Sequence, residues 1–180
     1  MFRFQTWNRD CEVKIVDPES GQILERGESG ELCTRGYSVM LGYWNDPEGT
    51  AAAFCDGWLR TGDLAVVDSE GYVNIVDRAK DMIICGGENV YSIEVENVAT
   101  DHPKVAEAAV IGHFHPKWSE RPLLIVVRNS DGQDLTAEEM LAWFDGKIAK
   151  WWTPEAVEFV DELPHTATGK LQKVTLREMF

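Results

Sequence analysis

The sequence predicts an α+β chain: a small β-rich, distorted barrel-like subdomain followed by a compact α+β domain. Three observations predict it. Residues 1–77 alternate short β-like runs with turn chemistry. After Asp77 the pattern changes to strands alternating with helical segments. A chain of 180 residues that is 44% hydrophobic and 10% aromatic is also long and apolar enough to bury a real core.

The elements follow in order. CEVKIVD, from Cys11, and GELCTRG, from Gly30, are strand-like runs separated by the turn chemistry of PESGQ, and the aromatic-rich YSVMLGYW comes next. Asp46 is placed to cap a short helix with Pro47 at its first position, over DPEGTAAAF. WLRTGDLAVVD and YVNIVD then form a hairpin whose tip is Asp68-Ser69-Glu70-Gly71. Beyond Asp77, MIICGG and ENVYS predict a tight hairpin turning on Gly86-Gly87. SIEVENVAT predicts a helix with Ser92 as N-cap and a stop before Pro103. VAEAAVIGHF and PLLIVVR are two strands, the second apolar enough to be central. Thr136 with Glu139 makes a capping box, and Leu135 with Met140 the matching hydrophobic staple, for a helix running to about Lys150. VEFVD is a last strand and LQKVTLREMF a last helix, and no internal repeat or low-complexity stretch is present.

Charge and cysteine usage narrow the function. The formal charge of −14 divides into −8 over residues 1–77 and −6 over 78–180, so the acidity is spread through the chain. Nucleic acid and anionic membrane surfaces, both bound through Lys and Arg fields, are disfavoured as partners. Cys11, Cys33, Cys55 and Cys85 form no C-x-x-C pair, and no histidine sits at zinc-finger distance, which argues against a disulfide framework or structural metal. No stretch reaches the ~18 apolar residues of a membrane span. MFRFQTWNRD also lacks the apolar centre of a signal peptide, so the expectation is a reduced, cytoplasmic protein.

PHTATGKLQK, residues 164–173, raises the question of an anion. A Walker phosphate loop would need glycine where Pro164 stands and a hydroxyl residue where Leu171 stands, so that reading fails twice. What remains is a hydroxyl-rich turn carrying Lys170, with Lys173 and Arg177 adding local positive charge. The plain alternative is a solvated surface lysine. His113 and His115 form H-x-H, but no third ligand is suggested by spacing, so they read as loop histidines and no metal site is expected. Glu94 with Glu96, and Glu138 with Glu139, read as solvated helix faces.

The company of Lys170 is more specific than the loop itself. GELCTRGY (30–37), GYWNDP (42–47), WLRTGDL (58–64), DRAKDMIICGGENVY (77–91) and LPHTATGKLQK (163–173) stand in a fixed order. Together they resemble the C-terminal portion of the adenylate-forming (AMP-binding) superfamily, the acyl-CoA synthetases above all. The ending KWWTPEAVEFVDELPHTATGKLQKVTLRE is most similar to medium-chain fatty acid and methylthiopropionate-type CoA ligases. The resemblance runs from about Val13 to Phe180; the first ten residues do not share it.

The resemblance implies a two-step activity. A carboxylate attacks ATP to give acyl-AMP and pyrophosphate, and the CoA thiolate then displaces AMP. It implies ATP, Mg2+ and coenzyme A as co-substrates and a small carboxylic acid, of the fatty or other aliphatic kind, as partner. By the same resemblance Lys170 is the adenylation lysine, acting on the carboxylate and α-phosphate. Asp63 accepts from the ribose hydroxyls and Arg78 contacts ribose or phosphate, unless it is spent in a salt bridge to Asp77 or Asp81. Lys80 marks a hinge, residues 78–81, between the β-rich part (1–77) and a lid domain (82–180). Gly86, Gly87 and Trp118 line the CoA channel, though a plain hairpin needs the same glycines and Trp118 could equally cap a core. The relatives' basic residues near the proline of KWWTPEA are absent, leaving Lys147 and Lys150 as substitutes for CoA phosphate contacts. The phosphate loop, adenine site and acyl pocket lie N-terminal to anything present, so the chain alone is expected to be inactive and to require a missing N-terminal domain. The rival expectations are a catalytically silent interaction module and part of a carrier-protein-loading adenylation domain.

Overall fold

A computed structural model describes residues 11–180. The readings made for the first ten residues, on the signal peptide and on the start of the resemblance, lie outside them. The chain separates into two compact units, divided between Lys80 and Asp81.

The first unit is antiparallel. Strand β1 (Cys11–Val16) pairs with β2 (Ser29–Gly36) from Cys11 opposite Gly36 to Val16 opposite Glu31. Helix α1 (Pro47–Ala53) follows, with the Asp46 carboxylate accepting from Gly49 N at 2.8 Å and Pro47 in its first turn, as the sequence predicts. Strand β3 (Phe54–Cys55) turns directly into β4 (Trp58–Val67), which lies against β2 and against β5 (Val73–Arg78). The predicted tip at 68–71 is present: the Asp68 carboxylate accepts from Glu70 N and Tyr72 N, each at 2.9 Å. Ile15, Ala65 and Val67 form a small core, with Leu24, Leu32 and Val73 packed on it.

The second unit is a mixed sheet covered on both faces. Strands β6 (Ile83–Cys85) and β7 (Glu88–Val90) make the hairpin expected around Gly86-Gly87. Helix α2 (Ser92–Thr100) leads to β8 (Val105–His115), which returns through a tight turn as β9 (Ser119–Arg128). Helix α3 (Ala137–Trp143) and a 3-10 turn at Lys150–Trp152 carry the chain to β10 (Ala156–Val160), which pairs parallel with β9; α4 (Lys173–Met179) ends the chain. A parallel pair needs a crossover, and residues 129–155 with α3 supply it. The central strands bury both faces. Val110, Leu124 and Val126 join Val95, Ala99, Met140 and Phe144 on one side, while Ala109, Ile111, Leu123 and Ile125 join Leu163 and Leu176 on the other. That double burial is the reason PLLIVV is continuously apolar rather than alternating.

Two expectations for this unit are corrected. Ser92 is not an N-cap: Tyr91 holds that position without a side-chain bond, and the Ser92 hydroxyl accepts instead from Lys173 Nζ at 2.7 Å. The helix after Thr136 stops at Trp143, well short of Lys150, because Gly146 takes a left-handed φ of +73° and the chain turns there. The Thr136 cap itself is present, its hydroxyl accepting from Glu139 N at 3.1 Å.

Candidate active site

The T-G-D segment is a bulge. Glu31 faces Leu64 and Cys33 faces Arg60, so the single residue Leu32 stands opposite Thr61, Gly62 and Asp63. Gly62 sits at φ +72°, which explains the glycine. A bulge leaves ladder groups without partners, and side chains take them up here. The Thr61 hydroxyl donates to Leu32 O (2.8 Å) and accepts from Asp63 N (3.1 Å), and Gly62 N donates to Glu31 Oε1 (3.2 Å). Arg60 donates to Glu31 Oε2 through Nε (2.6 Å) and Nη2, and this bond to the buried carboxylate holds the guanidinium's pKa above its usual value. The bulge turns Asp63 toward Arg78, the residue opposite it on β5, and the two pair at 3.0 Å. Ala79 N ties back to Gly62 O at 2.9 Å.

Thus Asp63 and Arg78, singled out separately in the sequence, meet. Arg78 pairs with Asp63, while Asp77 Oδ1 accepts from the Arg78 backbone N–H and Asp81 pairs with Arg177 at 2.8 Å. An ionised carboxylate offers two oxygens and about four lone-pair sites, so Asp63 can hold Arg78 and still accept a hydroxyl. Lys80 follows in a turn at the surface.

Gly86 and Gly87 occupy the two central positions of the β6–β7 turn with φ of +62° and +89°, the left-handed pair a two-residue hairpin requires. Gly86 has a second reason to lack a side chain. A Cβ there would lie 2.7 Å from Cε3 of Trp118, and Gly86 N donates to Trp118 O at 2.8 Å. The Trp118 indole thus packs directly against the Gly86 backbone. His115 shapes the turn that presents it: Nδ1 accepts from Lys117 N and Trp118 N at 3.1 and 3.2 Å. Neutral His115 therefore carries its proton on Nε2, 3.6 Å from Glu155 Oε1, which does not suit that nitrogen to ligate a metal. His113 Nε2 faces the other oxygen of Glu155 at 3.3 Å. Among the described residues no group of three His, Cys, Asp or Glu side chains converges to hold an ion.

Lys170 lies on a closed loop. Gln172 N donates to Pro164 O (2.8 Å), Thr166 N to Lys170 O (2.8 Å), and Lys170 N to the Thr166 hydroxyl (3.1 Å), with Gly169 at φ +79° completing the turn. The Lys170 side chain is exposed and forms no ion pair among the described residues. The other two basic residues of the segment do not add free charge, contrary to the sequence reading. Lys173 reaches Glu96 at 2.7 Å, and Arg177 is spent on Asp81. Glu96 is accordingly no solvated face; it is mostly buried and accepts from Val110 N at 2.8 Å. Lys147 lies over the Trp143 ring, 2.7 Å from its centre, and Lys150 is exposed. Sequence reasoning missed Glu31 and Thr166 as supports of this geometry; both are ordinary residues within their motifs, and only their backbone partners reveal them.

Comparison with known proteins places the chain by sequence and by fold. The model of the AMP-binding enzyme C-terminal domain matches residues 94–170, and that of the AMP-binding enzyme matches residues 6–44. The 3-methylmercaptopropionyl-CoA ligase of Ruegeria pomeroyi is 49% identical over 170 residues, covering 94% of this chain and 31% of that protein. The chain belongs to the AMP-binding enzyme family. A feruloyl-CoA synthase of Amycolatopsis is 45% identical over 94% of this chain and 34% of its own length. The crystal structure of ATP-bound MatB from Rhodopseudomonas palustris superposes with a TM-score of 0.87 at 41% identity, covering 94% of this chain and 34% of that one. The chain spans about a third of the length of the relatives it matches, and their C-terminal part is what it corresponds to. The match begins at Thr6, so the likeness reaches into the first ten residues, ahead of where the motifs alone placed its start.

Proposed function

We propose that the chain supplies the C-terminal end of an acid-CoA ligase, which activates a fatty or other aliphatic carboxylic acid as acyl-AMP with ATP and passes the acyl group to CoA. The observation that carries this is Lys170. In a chain of net charge −14, an exposed ammonium with no ion pair among the described residues stands on a loop closed by its own hydrogen bonds, while neighbouring Lys173 and Arg177 are paired. A positive charge so presented suits the moment when carboxylate and α-phosphate crowd negative charge together. Asp63, backed by Arg78, would accept from the ribose hydroxyls. Gly86, Gly87 and Trp118 would line the path of the CoA arm, and residues 78–81 around Lys80 would serve as hinge between the β-rich part (1–77) and the lid (82–180). Magnesium would arrive with the nucleotide phosphates, since no ion-holding cluster is found among the described residues. The remaining two thirds of the relatives' length would supply the acid pocket and phosphate loop.

A chimera tests the reading. Residues 11–180 replace the matching C-terminal part of the Ruegeria pomeroyi ligase, and acid-dependent pyrophosphate release is measured. Lys170→Ala should lower that release by roughly 100-fold or more, the scale of losing one transition-state charge contact, yet spare thioester formation from supplied acyl-AMP. Equal damage to both steps would overturn the assignment. The 180-residue chain alone should release no pyrophosphate.

A further inference from the structure

Glu31 is the least expected group in the first unit. It is an acidic residue only 5% exposed, on a strand, within a motif that by itself assigns it no role. A buried carboxylate persists only where charge and hydrogen bonds compensate its lost hydration. Each of its oxygens is aimed at one structure: Oε1 accepts from Gly62 N, at the centre of the T-G-D bulge, and Oε2 takes the fork of Arg60, the residue at the foot of that bulge. Arg60 in turn donates to Pro18 O at 3.2 Å, so the bulge is braced from beyond its own sheet partner. We propose that Glu31 is a positioning residue: its carboxylate holds the Thr61–Asp63 bulge open and so fixes the Asp63 carboxylate for nucleotide binding. The proposal rests on the reading of Asp63 as a nucleotide contact and adds the group that sets its geometry. Glu31 touches no reacting atom; it acts through Gly62 and Asp63.

Two measurements test it. In the 180-residue chain, Glu31→Gln and Glu31→Ala should speed amide exchange at Gly62 and Asp63 by about tenfold, the loss of roughly one charge-assisted hydrogen bond, with exchange at Val110 and Leu124 unchanged. In the chimera, Glu31→Ala should raise the KM for ATP by about tenfold with the KM for the acid unmoved, and in an Asp63→Asn background it should add less than about twofold, since residues acting in series are non-additive. A full tenfold effect on top of Asp63→Asn, or unchanged exchange at Gly62, overturns the positioning role. If Asp63→Asn alone leaves the KM for ATP unchanged, the nucleotide reading of Asp63 fails, and the exchange experiment still decides whether Glu31 holds the bulge. If Glu31→Ala does not fold, the volume-conserving Glu31→Gln carries both measurements.

Discussion

His102 shows how a single buried group makes this chain sensitive to acid. Its ring is 5% exposed, lies edge-on to Trp143, and accepts from Lys104 N through Nδ1 at 3.2 Å. Burial pushes its pKa below 6.5; Glu139 opposes the shift, and Lys104 and Lys147 add to it. The unfolded imidazole takes its proton near pH 6.5 and the folded one only at lower pH, so between those values the unfolded chain binds more protons and stability falls as pH falls. The urea midpoint should therefore drop between pH 7.5 and 5. That drop should be smaller in His102→Asn, which keeps an acceptor but does not titrate. Nothing in the sequence singled out His102, because a lone histidine after a helix reads the same whether it is buried or exposed.

The terminal helix is fastened by charge as well as by apolar contact. Leu176 is fully buried, Lys173 and Glu96 form a mostly buried pair, and Arg177 holds Asp81. Removing one member of a buried pair strands the other, so Glu96→Ala should cost about 3 kcal/mol in chemical denaturation. Exposed Glu138→Ala should stay within about 0.5 kcal/mol. The two glutamates looked alike in sequence. Periodicity placed both on outward helix faces, and nothing local reported that a lysine 77 positions downstream of Glu96 would fold back onto it. The helix starts and tight turns were legible because their signals are short-range: Asp46 with Pro47, Thr136 with Glu139, Gly86 with Gly87. The end of α3 was not, since the hydrophobic pattern continues past Gly146 while the backbone does not.

At the scale of the whole molecule, each unit carries its own core, and the two differ in size. The first buries Ile15, Ala65 and Val67 in its cluster, and the second buries two clusters on either side of a sheet. Stability follows buried apolar area, so the first unit should melt at lower denaturant than the second, seen as two steps by fluorescence and by amide exchange. A single coincident transition would contradict this. The candidate site was legible to the extent that its motifs carry side chains outward, as at Lys170, Asp63 and Arg78. The pairing of Asp63 with Arg78, the seating of Trp118 on Gly86 and the brace at Glu31 depend on register and bulges that residue types alone do not specify.

The parallel pairing of β10 with β9 also sets an order of events in time. β8 and β9 are joined by a tight turn and can meet early, whereas β10 must wait for residues 129–155 to loop back, and closing a longer loop costs more entropy before any contact repays it. Leu124→Ala in β9 should then slow refolding, and Val157→Ala in β10 or Leu176→Ala in α4 should chiefly hasten unfolding in stopped-flow chevrons. Lys170, slung between the latest strand and the terminal helix, would be among the last groups to reach its place and among the first to leave it.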